Sequence, residues 1–157
     1  MVVRTNSPAT VAGQTRLLMP GLAGFYLLAI PLSWLLIRVT VGSLLVMHGW
    51  PKIGAGPASL AARYVQMGLS PGAFWAWADT LLEVVGGVAI ILGLFTRFFA
   101  AAVAIQMAII MVIYLPNGFA WTNRGYEFVL MWGLIAFAIA LRGGGPYSLD
   151  RRIGIEL

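Results

Sequence analysis

Cysteine is absent from this chain, and histidine and lysine occur once each, as His48 and Lys52. Without cysteine there is no disulfide, no thiolate nucleophile and no Cys-ligated cluster, so a redox role needs a bound organic cofactor or a partner. A single histidine rules out a bis-His haem. A His/Met site is a weak alternative, and no metal is expected. Nucleophile triads and phosphate-cradling loops are not visible either, so autonomous catalysis has no positive support and enzyme status stays open. Charge is equally scarce. Only 10% of residues are charged, against about 25% in soluble domains, which leaves too little polar surface to coat a globule in water.

Apolar residues take up the difference. They make up 61% of the chain, the mean hydropathy is +0.91, and several runs approach the roughly 20 residues that span a bilayer core. The chain reads as an integral membrane protein in contact with a lipid bilayer, and 157 residues suit one compact bundle. Its formal net charge is +5, yet the basic residues stand singly, mostly at the ends of apolar runs. Topology determinants and headgroup anchors are placed that way, so nucleic acid is not an expected partner.

Hydropathy marks four spans, at about 27–48, 74–95, 98–115 and 126–141. The expected fold is an all-α membrane protein, a four-transmembrane-helix antiparallel bundle. The turn "LFTRFF" is so short that the second and third spans must form a hairpin. The longest loop, residues 51 to 73, is rich in Gly and Pro and holds a candidate interfacial helix, "PASLAARYVQMG". Pro51 biases Trp50 away from helical geometry and is expected to end the first span. Residues 1–20 are polar and small and lack the apolar core of a signal peptide, so they read as a disordered tail. Residues 21–157 form the membrane domain. Arg4, Arg16, Arg97, Arg142, Arg151 and Arg152 fall on one side of the bundle, and Lys52, Arg63 and Arg124 on the other. That excess puts both termini in the cytoplasm and His48 and Lys52 at the outer face. No internal repeat is evident, and an inverted-repeat transporter is hard to build from so few spans.

An ionisable side chain at the centre of a membrane helix costs about 2.5 to 3.5 kcal/mol on insertion scales. Such groups should face the bundle interior and have partners. Here they are Arg38, Asp79 and Glu83, with the polar Gln106 on the third span and Glu127 at the mouth of the fourth. Arg38 precedes His48 by a run worth roughly 15 Å of helix, and Glu83 follows Phe74 by a similar one. Both then lie near the midplane, and an Arg38–Glu83 ion pair is predicted. Arg38, Gly42, Leu45 and Gly49 share one face of the first span. Asp79, Glu83, Gly86 or Gly87, and Ile90 share one face of the second, so both helices present a small-plus-polar stripe. Asp79 lies a turn nearer the outside, where His48, Lys52, Arg124 and Glu127 are its plausible neighbours. The expected result is an outward-facing polar cleft floored by Arg38 and Glu83. Two readings stay open: the pair locks the helices in register, or the cleft binds a quinone headgroup or a small anion. Lys52 by itself is most often a snorkelling anchor. The tryptophans near span ends read as an aromatic belt, and Met107 and Met111 as packing residues.

The order and spacing of "RVTVGSLLVMHGWPKI", "LLEVVGGVAIILGLFTRFFAAAVAIQM", "GYEFVLMWG" and "GGGPYSLDR" resemble the DoxX family of small bacterial membrane proteins. The resemblance runs from about Leu36 to Arg152. It maps the family's polar positions onto Arg38, His48, Lys52, Glu83 and Glu127. It implies a four-helix unit of the bacterial cytoplasmic (inner) membrane, related to membrane subunits of thiosulfate:quinone oxidoreductase. Other relatives look like membrane partners of redox enzymes, chaperones or cargo receptors, and fold-level analogy does not choose among these.

Three functions are therefore expected to compete. In a quinone-linked oxidoreductase component, Arg38, His48, Lys52, Glu127 and Gln106 would line the quinone cleft while Glu83 or Asp79, beside Arg38, exchanges protons. In a scaffold or assembly factor, the loop from Pro51 to Gly72 and the loop "GFAWTNRGY" would dock a redox or exported partner. A small-anion pathway lined by Arg38, Lys52 and Arg124 comes third. A redox-enzyme subunit is the expected protein partner, and small-residue faces permit a homo-oligomer.

Overall fold

In a computed structural model of the chain, the structure describes residues 10–11 and 15–156, with side chains from residue 17 onward. The expected disordered tail lies largely outside the described residues. Within it, Thr10–Val11 and Thr15–Arg16 pair as a short antiparallel ladder. Four long helices follow: α1 (Ala23–Ala55), α3 (Gly72–Leu92), α4 (Thr96–Tyr114) and α5 (Glu127–Arg142). Two short helices, α2 (Ala61–Gln66) and α6 (Leu149–Ile153), lie in the first loop and near the C-terminus. Three segments, Pro20–Ala55, Gly72–Leu92 and Thr96–Asn117, are long and apolar enough to cross a membrane. α5 is shorter, at 16 residues, and packs along α4.

Glycine sets how α1 meets α3. A Cβ on Gly42 would stand 2.5 Å from the Gly87 carbonyl oxygen, and one on Gly49 would stand 2.8 Å from the Glu83 Cβ. Both distances are shorter than side chains tolerate, so only glycine lets these backbones touch, as small-residue stripes do between membrane helices. The two stripes read from the sequence therefore face each other. Their register is different from the one expected. α1 does not stop before Pro51 but runs on to Ala55, where Gly56 takes a positive φ of 76°. Proline removes only one backbone hydrogen bond, and a helix at a membrane edge re-satisfies the freed carbonyl locally. Glu83 lies beside Gly49. Arg38 is eleven residues, roughly 16 Å of helix, further along α1.

The far end of the bundle holds Arg38 instead. Its guanidinium donates to the backbone carbonyls of Gly144, Tyr147 (2.5 Å) and Ile91 (3.3 Å), and the residue is 1% exposed. The predicted Arg38–Glu83 ion pair does not form, and Arg38 does not floor a cleft with Glu83. The loop that receives it comes from the "GGGPYSLDR" motif. Asp150 ties that loop down by accepting from Phe95 N (2.7 Å), Thr96 N (2.9 Å) and Thr96 Oγ1 (2.7 Å), which caps the start of α4. Trp34 Nε1 donates to the Gly143 carbonyl (3.0 Å). Arg97 donates to the carbonyls of Ala140 and Leu141 (3.1 and 2.5 Å) at the C-terminal end of α5, where the helix dipole favours a cation. Between the two ends the core is apolar: Val41 and Leu45 of α1 cluster with Ile90, Val103, Ala136 and Ile139 of the other long helices.

Candidate functional site

At the opposite end, around Lys52, four elements bring polar side chains to one point. Lys52 comes from the last turn of α1 and reaches back along the helix between two carboxylates of α3. Its ammonium contacts Asp79 Oδ2 and lies 2.6 Å from Glu83 Oε2. Tyr64 of α2 donates to the same Asp79 oxygen (2.6 Å), and Gln106 of α4 donates to Asp79 Oδ1 (2.5 Å). A turn of π-helix, Leu82–Gly86, carries Glu83. Such turns insert one residue into the ladder and rotate the next part of the helix, and they recur at functional sites.

The two carboxylates are not equivalent. Asp79 accepts from three donors, which suits an ionised carboxylate. Glu83 is 6% exposed, and Lys52 is its one ionic partner among the described residues. The Lys52–Glu83 contact is close in distance, yet Oε2 finds no hydrogen bond of acceptable direction. It is an ion-pair contact that leaves Glu83 with unused acceptor capacity.

Two cavities meet at this carboxylate. One, about 310 Å³, is the more polar and is lined by His48, Lys52, Arg63, Tyr64, Asp79 and Glu83, with Leu60, Met67 and Ile113 among its apolar walls. The other, about 460 Å³, is mainly apolar and is walled by Leu45, Met107, Phe128 and Trp132. His48, Glu83, Ile110 and Tyr114 border both. His48 Nδ1 lies 3.1 Å from the Leu44 carbonyl. A carbonyl can only accept, so Nδ1 carries the hydrogen, and in the neutral ring Nε2 is left as an acceptor.

The structure thus brings together five of the residues singled out in the sequence: His48, Lys52, Asp79, Glu83 and Gln106. It does not bring Arg38, which is engaged by carbonyls at the other end. Nor does it bring Glu127, whose Oε2 accepts from Trp121 N (3.1 Å) and closes the loop before α5. An anion pathway lined by Arg38 and Lys52 has no support in this geometry, since Lys52 is neutralised by two carboxylates. Tyr64 is the addition that sequence reasoning missed. Burial first, and then its bond to Asp79, raise the Tyr64 phenol above the ordinary range. One signal for it was available: the loop after Lys52 must fold back to reach α3, which carries α2 over the carboxylates. Among the described residues, no group of three or more His, Asp and Glu is placed to hold a metal ion.

A family model, DoxX, matches residues 33–115. The chain belongs to the DoxX family. The matched region holds all of the cluster and the whole α1–α3 glycine contact. The latch onto Arg38 from residues 143–150 lies beyond it. Two relatives are an uncharacterized protein of Haemophilus influenzae and an uncharacterized membrane protein of Mycobacterium tuberculosis. The first is 28% identical over 120 residues, covering 74% of this chain and 87% of the relative. The second is 28% identical over 136 residues, covering 78% and 82%. No solved structure matches the chain.

Proposed function

We propose that this DoxX protein is a four-span unit of the bacterial cytoplasmic membrane, with both termini inside, that binds the quinol head of a quinone pool for a partner redox enzyme. The observation that carries this reading is Glu83, a buried carboxylate with unused acceptor capacity on the border between a cavity that holds the charged cluster and a more apolar, aromatic one. A ligand that fits both cavities has a flat apolar body and a polar edge. Two open groups at the border are acceptors, a Glu83 carboxylate oxygen and, in neutral His48, Nε2, while the Tyr114 hydroxyl beside them can donate or accept. Acceptors match the two hydroxyl hydrogens of a quinol better than the carbonyl oxygens of a quinone. A quinol oxidised there would pass its protons to Glu83 and His48, both within one cavity border, and its two electrons to the partner enzyme. Asp79, held by three donors, is a positioning residue that fixes Lys52 against Glu83.

Purification in mild detergent followed by mass spectrometry of bound lipids tests this directly. Wild-type protein should retain quinol in preference to quinone by about tenfold, the equivalent of about 1.4 kcal/mol, and Glu83→Gln should lose most of it. Full occupancy in Glu83→Gln would remove the mechanism. A scaffold role has one observation in its favour, the exposed Phe119 and Trp121 in the loop before α5. Crosslinking from that loop to a stoichiometric partner, with no quinol bound, would favour it instead.

A further inference from the structure

A third cavity, about 430 Å³, opens at the Arg97 end, far from the carboxylate cluster, and Arg142, Ser148, Asp150, Arg151 and Glu156 line it. We propose that this cavity binds a phosphate group, carried by an anionic lipid headgroup or free in solution. The acids in its wall are already engaged. Asp150 accepts from Phe95 and Thr96, and Glu156 Oε1 accepts from Gly144 N at 3.0 Å and pairs with Arg97 at 3.5 Å. The two arginines are not. Among the described residues, neither Arg142 nor Arg151 forms an ion pair. Arg142 is also preorganised, with its Cζ 4.5 Å above the Trp34 ring. Stacking on an aromatic face holds the guanidinium plane while leaving its edge of N–H donors free. Two guanidiniums with free edges on one cavity are suited to the bidentate hydrogen bonds that phosphate oxygens accept.

Position favours a lipid source. Arg142 is the last residue of α5, at the level where an apolar helix leaves the hydrocarbon. Basic pockets between membrane helices at that depth take anionic headgroups. A phosphate here would bridge α5, the loop that holds Arg38, and α1 through Trp34. Occupancy should therefore stabilise the whole inner end.

The test uses full-length protein in a neutral detergent, with thermal unfolding followed after adding phosphatidylglycerol, phosphatidylcholine or inorganic phosphate. Phosphatidylglycerol should raise the midpoint by about 4 °C or more, a typical shift for a ligand well above its dissociation constant. Phosphatidylcholine should not. Arg142→Gln and Arg151→Gln should each remove at least about half of that rise, as loss of one of two charge-assisted partners does. Arg124→Gln, a cation elsewhere in the chain, should keep it whole. Arg151→Gln guards against misfolding, because residue 151 meets the Ser148 hydroxyl through its backbone N–H, which the substitution retains. A matching rise with inorganic phosphate alone, lost in the same variants, would assign the site to free phosphate. An equal rise with phosphatidylcholine, or a full rise in both variants, would overturn the proposal.

Discussion

The two ends of this bundle each bury charge, and they do so for opposite purposes. At the Arg97 end, Arg38 is held by three backbone carbonyls, and Asp150 by two N–H groups and a hydroxyl. Their partners are mostly main chain, so these charges fasten a loop to helix ends. At the Lys52 end, Asp79, Glu83, Lys52, Tyr64 and Gln106 bond one another through side chains, and two cavities adjoin them. Two carboxylates share one ammonium there, and one of them is under-satisfied. A buried charge held by backbone partners, with no ion pair among the described residues through which to exchange a proton, is architecture, as Arg38 is even with its Nε unpaired. A buried charge left open beside a cavity can bind or exchange a proton.

The sharpest way to break this contrast is Arg38→Ala. It should cost about 3 kcal/mol of stability, because it leaves buried carbonyls without donors and opens a void. The folded fraction should still carry quinol at wild-type occupancy. Reversible unfolding in mixed micelles gives the stability loss, and mass spectrometry gives the occupancy. Loss of quinol from folded Arg38→Ala protein would show that the two ends are not separable.

Next in size is Lys52→Met, which leaves Asp79 and Glu83 facing each other without their shared cation. Breaking a buried ion pair from one side costs about 3 kcal/mol in the interior of a soluble protein. About 2 kcal/mol is expected here, since the Lys52 side chain is 25% exposed and solvent screens part of the charge. The companion change Glu83→Gln should recover more than half of the loss, because it removes the repelling charge. A double-mutant cycle measures this coupling. Additive losses would mean that Lys52 is an ordinary interfacial anchor, as its sequence context alone suggested.

Much of this was legible in the residues themselves. Composition fixed the membrane class, and the spacing of Gly42, Gly49 and Gly87 marked the faces that touch, because helical periodicity projects directly onto a contact surface. The DoxX resemblance pointed to Arg38, His48, Lys52, Glu83 and Glu127, of which His48, Lys52 and Glu83 come together while Arg38 and Glu127 bond elsewhere. Register was not legible. It depended in part on whether Pro51 ended α1, and a proline at a helix edge permits either outcome. Carrying α1 on to Ala55 adds only about two turns past His48. Yet Gly49, the residue beside Glu83, lies about three turns from Arg38. The relative depth of α1 and α3 therefore also differs from the one expected, and the predicted ion pair is lost. The true partners of Arg38 are carbonyls of residues 91, 144 and 147. Backbone acceptors have no side-chain signature, so a sequence offers nothing by which to find them.

The finest discrimination between the two ends comes from Tyr64→Phe. This change removes one of three donors from Asp79 and should cost about 1 kcal/mol near neutral pH. The phenol is held above its ordinary value by burial and then by Asp79, so folding favours its protonated form. Its contribution is full below about pH 10, the ordinary tyrosine value. It falls above that, as the unfolded chain gains by ionising while the folded one does not. The stability gap between wild type and Tyr64→Phe should therefore be constant from about pH 7 to 9 and shrink beyond about pH 10. Phenolate absorbance supplies an independent check. Because Tyr64 stays protonated in the folded state, wild type and Tyr64→Phe should gain the same absorbance between about pH 9 and 11. A larger gain in wild type would show that Tyr64 ionises freely, and that α2 does not seal the cluster as the Tyr64–Asp79 bond implies.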